Sequence, residues 1–184
     1  MIELRFHGRG GQGAVTSAEL LAHAAISEGR FAQSFPAFGP ERRGAPVLAF
    51  ARIDDSKIYL REQVYEPDVV IVLDAALLDI VDVAEGVKPD GVIVINSPEP
   101  PAHFKEKYQF KTRVATVNAQ RIALNLLRRP IVNTTMLGGA IKARGLVRLE
   151  SLKQPLEERF GALGARNFAV MERAFEELVM EDAS

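Results

Sequence analysis

The residues best suited to chemistry stand near the N-terminus, in the run Gly8-Arg9-Gly10-Gly11-Gln12-Gly13. Glycines 8, 10 and 13 have the G-x-G-x-x-G spacing. A glycine turn between a strand and a helix lets a phosphorylated ligand approach the backbone, where unpaired N–H groups at the helix start face its charge. The same spacing also serves tight strand–helix packing with no ligand, and the motif alone leaves both readings open. Gln12 offers an amide that both donates and accepts hydrogen bonds. Its other reading is a solvent-facing residue of the first helical turn.

A second stretch adds positive charge. Residues 35–47 read Phe-Pro-Ala-Phe-Gly-Pro-Glu-Arg-Arg-Gly-Ala-Pro-Val, a loop stiffened by proline that carries the adjacent pair Arg42 and Arg43. If a strand ends at Gln33-Ser34, this loop leaves on the same carboxyl edge as the glycine turn. The planar fork of arginine suits phosphate oxygens, so either residue could complete an anion site. Pairing with Glu41 or a surface acid is the alternative. An NAD-type site also needs an acid about 20 residues beyond the glycines. The corresponding residues 30–35 read Arg-Phe-Ala-Gln-Ser-Phe, with no acid. A ligand with an extra phosphate near its ribose fits better, which places NADP or coenzyme A ahead of NAD without separating the two.

The elements that must position these residues follow from periodicity. Residues 2–6 alternate apolar with charged, as a half-buried strand does. A helix is expected from Ala14 to near Gly29. Residues 47–53 and 57–60 flank Asp54-Asp55-Ser56 and predict an antiparallel hairpin. Residues 68–74 and 91–96 are continuous apolar runs, as in central strands covered on both faces. A short helix is expected through Leu78 and Val81, an exposed excursion over 97–112, and a last short strand at 113–117. Helices are expected at 119–128 and 134–143, with a helical tail from Leu149 that includes an amphipathic helix over 165–180. The expected fold class is α/β: a three-layer Rossmann-like domain, with a mostly parallel sheet and an antiparallel hairpin, spanning residues 1–184 as a single unit.

Several polar residues have two readings. Asp74 and Asn96 end apolar strands, where α/β sites gather, but a helix cap or turn explains each. Asn133 or Thr134 is a natural N-cap for the helix after Pro130. Gly138-Gly139 is costly in a helix interior, roughly 1 kcal/mol per glycine relative to alanine, so close packing against another backbone is expected there. His7 abuts the glycine turn and either touches ligand or serves packing. No Ser–His–acid set or carboxylate pair supports independent catalysis.

Three stretches together resemble a known family: residues 8–13, residues 35–47, and Asn133-Thr134-Thr135-Met136-Leu137-Gly138-Gly139. The chain is similar to the gamma subunit of pyruvate or 2-oxoacid:ferredoxin oxidoreductases, and the likeness in order and spacing covers nearly its whole length. The resemblance implies an enzyme that oxidatively decarboxylates a 2-oxoacid to an acyl-coenzyme A and reduces ferredoxin. Pyruvate is the first expectation and a branched acid such as 2-oxoisovalerate the second. The implied cofactors are coenzyme A, bound partly here, with thiamine diphosphate and iron–sulfur clusters on partner subunits. The implied partners are alpha, beta and ferredoxin-like delta subunits and external ferredoxin. Carried onto this sequence, the coenzyme A contacts fall on Gly10, Gly11, Gln12 and Gly13 at the phosphates, with Arg42 or Arg43 assisting and Asn133 near the adenosine end. No catalytic residue and no metal ligand is expected in this chain. A free-standing NADP-dependent reductase and a non-catalytic assembly module docking through the Phe-Pro loop remain as alternatives.

Composition agrees with that division of labour. The chain has no cysteine, so it cannot ligate an iron–sulfur cluster through thiolates. Its three histidines, His7, His23 and His103, are far apart and lack metal-ligand spacing. A net charge of −1 gives no electrostatic case for nucleic-acid binding. No apolar run reaches the length of a membrane span, and no secretory leader is visible. The expected location is the cytoplasm.

Overall fold

Two apolar runs with strict alternation set the architecture. In β4 (Val69–Val72) and β5 (Val92–Asn96), Val69, Ile71, Val92 and Val94 face one core, while Val70, Val72, Ile93 and Ile95 face another. Strands buried on both faces need a layer on each side. The computed structural model, which describes residues 1–37 and 43–181, supplies both layers.

The sheet has seven strands in the order β2-β3-β1-β4-β5-β6-β7. The others are β1 (Ile2–Arg9), β2 (Phe31–Pro36), β3 (Pro46–Asp54), β6 (Arg113–Val117) and β7 (Val179–Glu181). β1, β4, β5 and β6 run parallel. β3 is antiparallel to β1 and to β2, and β7 is antiparallel to β6. The larger core lies between the sheet and α1 (Ala14–Ser27), α4 (Asn133–Arg144), α5 (Lys153–Phe160) and α6 (Gly164–Glu177). The smaller one is covered by a 3-10 helix over Ala75–Asp79 and by α2 (Pro101–Tyr108), which contributes Leu78 and Phe104. α3 (Ala119–Leu127) begins where the Asn118 carboxamide oxygen accepts from the Arg121 amide at 3.0 Å, a side-chain N-cap.

The expected mixed sheet with antiparallel members is present, but four local expectations are corrected. The antiparallel partners of β3 are β1 and β2, and residues 57–60 form no strand. The segment after β5 is not wholly exposed: α2 forms within it, started by Pro101 in the first turn and anchored by the buried Phe104. β6 is not the last strand, because the chain leaves α6 and adds β7 to its edge. Nor is β1 half-buried. Arg5 is 7 % exposed and its guanidinium donates to the Val83 and Glu85 carbonyls, so backbone oxygens of the covering loop replace water.

The glycine pair of α4 packs as its sequence requires. A Cβ on Gly138 would overlap the Met171 carbonyl oxygen of α6, whereas one on Gly139 would meet only side chains, the nearest being Leu178 at 3.2 Å.

Candidate functional site

The carboxyl ends of the four parallel strands each present a polar residue: Arg9 ends β1, Asp74 follows β4, Asn96 ends β5 and Asn118 follows β6. That edge is where open α/β sheets receive ligands. Gly8 lies inside β1, where a Cβ would come within 3.1 Å of Leu73. Of the glycine motif, then, residue 8 serves packing and residues 10–13 make the turn.

Gly11 and Gly13 adopt φ of +89° and +82°, left-handed values that side chains other than glycine rarely take. A Cβ on Gly11 would meet nothing within 4 Å, so the turn is open to solvent there. Gly13 is the N-cap of α1, and no side chain caps it. The first intrahelical bond is donated by Ser17 to the Gly13 carbonyl, which leaves the earlier amides of the turn without helical partners. Gln12 closes the turn from within, its carboxamide oxygen accepting from the Arg9 amide at 2.7 Å.

Asn133 is the first residue of α4, and Val132 is its N-cap, which corrects the expected capping role. The reason is packing. Asn133 is 4 % exposed and its side chain lies against Gly13, where a Cβ would come within 2.6 Å of Nδ2. Asn133 is not among the fully buried side-chain groups left without a partner, which among the described residues are Ser17 Oγ, Arg52 Nη1 and Thr135 Oγ1. Thr134, the other capping candidate, turns away and donates to Asn167 at 2.9 Å.

Of the arginine pair, Arg42 lies outside the described residues. Arg43 is exposed and its backbone bridges to Gly10, while the Gly10 amide donates to the Ala45 carbonyl at 2.9 Å. Residues 43–45, the described end of the loop, therefore lie at the glycine turn, as the loop's position after β2 predicts. Sequence reasoning missed Arg9. Its Nε donates to Asp74 at 2.7 Å and its Nη1 to the Gly44 carbonyl at 3.2 Å, which ties β1, β4 and the loop together. The signal was its place inside the glycine motif. Asp74 also caps the 3-10 helix through the Ala76 amide at 3.0 Å, the structural role expected for it.

Two clefts meet at this turn. One, of 860 Å³, runs over the strand ends between Gly11, Gln12, Asp74, Asn96, Asn118 and the segment Pro130–Val132. The other, of 830 Å³, lies between Arg9, Gly13, the first turn of α1, Pro36 and Pro46. Gly11 borders both. His7 borders neither; it is 3 % exposed and accepts from the Arg5 Nε at 3.1 Å through its own Nε2. Burial, reinforced by the Arg5 charge, pushes its pKa down to about 3, so the ring is neutral and serves packing. Among the described residues no group of three or more His, Cys, Asp or Glu could hold a metal ion, and no helix is long and apolar enough to cross a membrane.

The sequence profile described as pyruvate ferredoxin/flavodoxin oxidoreductase matches residues 3–177. The chain belongs to that family. Its relatives include the common gamma subunit of the pyruvate/ketoisovalerate oxidoreductases of Thermococcus kodakarensis, 53% identical over 182 residues and covering 98% of each chain. The pyruvate synthase subunit PorC of Methanocaldococcus jannaschii is 52% identical over 180 residues, 97% of this chain and 98% of that one. Among solved structures, the pyruvate oxidoreductase subunit PORC of Thermotoga maritima superimposes with a TM-score of 0.88 at 36% identity, over 98% of both chains. The fold also recurs in a 2-oxoglutarate:ferredoxin oxidoreductase of Magnetococcus marinus, with a TM-score of 0.78 at 19% identity over 95% of this chain and 30% of that one. The family membership bears out the gamma-subunit resemblance, and places this chain among subunits of 2-oxoacid oxidoreductases.

Proposed function

We propose that this gamma-type chain, acting as a single coenzyme A-associated domain, helps bind and position coenzyme A in a multisubunit 2-oxoacid:ferredoxin oxidoreductase. The observation that carries the reading is the open glycine turn, where no side chain caps α1 and Asn133 packs against Gly13. Gly10, Gly11, Gln12 and Gly13 form the phosphate-facing turn. In it the Gly10 and Gln12 backbone amides are held by the Ala45 and Arg9 carbonyls, and the donors left for phosphate are the Gly11 and Gly13 amides and the Gln12 side chain. Arg42 or Arg43 adds charge, and Asn133 meets the adenosine end. The chain's contribution is binding energy and orientation of the thiol. Thiamine diphosphate supplies the decarboxylation chemistry and iron–sulfur clusters carry the electrons, all on partner subunits; this chain offers no thiolate to a cluster. The partners in this reading are alpha, beta and ferredoxin-like delta subunits, with external ferredoxin as acceptor, in the cytoplasm.

Pyruvate is the substrate we assign first. The Thermococcus relative is named as common to pyruvate and ketoisovalerate oxidoreductases, and that supports a second reading in which this chain serves a 2-oxoisovalerate enzyme as well. Discrimination between the acids then rests on the other subunits.

The test is Gly11→Val in the assembled enzyme. A side chain at Gly11 projects away from the protein and into the space where the two clefts meet. The substitution is therefore expected to raise the KM for coenzyme A with the 2-oxoacid KM unchanged. An unaltered coenzyme A KM in an assembled variant removes the turn from the site. Copurification with cysteine-rich and thiamine-binding chains tests the assembly separately.

A further inference from the structure

We infer that Arg9 is the residue of this chain that recognises the diphosphate of the bound nucleotide, and that Asp74 holds it in place for that task. The inference rests on the coenzyme A reading above and adds to it a specificity-determining residue that the sequence does not single out.

Three observations carry it. The first is position. Arg9 borders the cleft beside the first turn of α1, Asp74 borders the cleft over the strand ends, and Gly11 borders both. The Arg9–Asp74 pair therefore links the linings of the two clefts beside the turn that they share. The second is orientation. Asp74 is itself fixed twice, Oδ1 accepting from the Ala76 amide at 3.0 Å and Oδ2 from Arg9 Nε at 2.7 Å. With Nη1 on the Gly44 carbonyl at 3.2 Å, the plane of the guanidinium is set from two sides. Nη2 has no hydrogen bond among the described residues. The side chain is 30% exposed, so a charged donor is presented to solvent without loss of its internal partners. The third is the company it keeps. The first amides of α1, which no side chain caps, and the side chain of Asn133, packed against Gly13, converge on the same turn.

An acid partnering the arginine does not cancel this role. Asp74 accepts from Nε and the Gly44 carbonyl from Nη1, which leaves Nη2 to the ligand, and a guanidinium held in this way loses little freedom when it meets a phosphate oxygen. Arg9 is thus the contact and Asp74 the positioning residue.

The experiment uses the assembled enzyme and measures kcat and KM for coenzyme A together with the inhibition constant of ADP, which carries a diphosphate but no thiol arm. ADP should compete with coenzyme A in the parent; absence of competition overturns the diphosphate assignment. Arg9→Ala should raise both the coenzyme A KM and the ADP inhibition constant by about 10- to 150-fold, the worth of one charge-assisted contact. The kcat at saturating coenzyme A should stay within about twofold, since binding is the step affected. Arg9→Lys keeps the charge and can still pair with Asp74 but lacks the fork, so it should recover part of the loss. Asp74→Asn should raise both constants by a smaller factor at unchanged kcat. A fall in kcat at unchanged KM, or constants that stay at parent values, assigns Arg9 to holding the Gly44 loop and overturns the inference. If Arg9→Ala does not assemble, Arg9→Lys decides in the same way. When Gly11→Val weakens coenzyme A and the Arg9 variants do not, only this inference fails; when Gly11→Val also leaves coenzyme A untouched, the underlying reading fails with it.

Discussion

Replacing Gly138 by alanine is expected to cost about 3 kcal/mol or more, at or beyond the upper end of overpacking penalties. Helix propensity alone favours the change by roughly 1 kcal/mol, so the sign of the effect is decided by packing. The added methyl group would run into the Met171 carbonyl oxygen, which is backbone of α6 and cannot rotate away. α4 and α6 must then separate, and buried Met136, Leu137, Ala140, Val170 and Met171 lose contact with one another. The melting temperature should fall by about 6–12 °C for a chain of this size. Gly139→Ala is the control. Its methyl group would meet the ends of Leu178 at 3.2 Å and Val117 at 3.3 Å, side chains that can shift by a few tenths of an ångström. The propensity gain offsets that adjustment, and stability should stay within about 1 kcal/mol of the parent. Equal losses at the two positions would show that helix–helix contact is not what selects glycine at 138.

Acid should destabilise this chain beginning near neutrality rather than only at carboxylate pH. His7 is held neutral in the fold, its pKa pushed down to about 3 from 6.5, first by burial and then by the charge of Arg5. Below the unfolded value of 6.5 the unfolded chain binds a proton that the folded chain does not. Stability from this residue is therefore fully present above pH 6.5 and drains away as pH falls toward about 3. The slope approaches about 1.4 kcal/mol per pH unit for one proton. His7→Gln retains an acceptor for the Arg5 Nε without a titrating ring. It should flatten the dependence of unfolding free energy on pH between 6 and about 4, measured by denaturant titration. A slope unchanged in His7→Gln would assign the acid sensitivity to other groups.

The location of β4 and β5 was legible because Val69–Val72 and Val92–Ile95 are unbroken runs of Val and Ile that burial on both faces explains, and β6 from the β-branched Val114, Thr116 and Val117. α1 and α4 were legible from alanine-rich or small-residue runs bounded by Gly29 and Pro130. The edges of the sheet were not. β7 has all three residues exposed, so no hydrophobic pattern marks it; it forms because α6 delivers the chain to the free edge of β6. The pairing of β3 with β1 and β2 is likewise long-range, and the nearby Asp54-Asp55-Ser56 turn favours a local hairpin that tertiary contacts override.

The candidate site divides in the same way. By itself the sequence determined that a glycine turn opens a helix at the end of β1, that an arginine-bearing loop follows β2, and that no thiolate chemistry is possible, since these depend only on local backbone freedom and on composition. Only the tertiary structure decided which residues share that turn. Asn133 reaches Gly13 from a distant helix, Arg9 is aimed by Asp74 from the end of a neighbouring strand, and charged Arg5 and neutral His7 are buried rather than solvated. The physical reason is that spacing along the chain sets which way a side chain leaves its own element, whereas its partner, and with it the cost of burying its charge, is set by whatever the fold packs opposite.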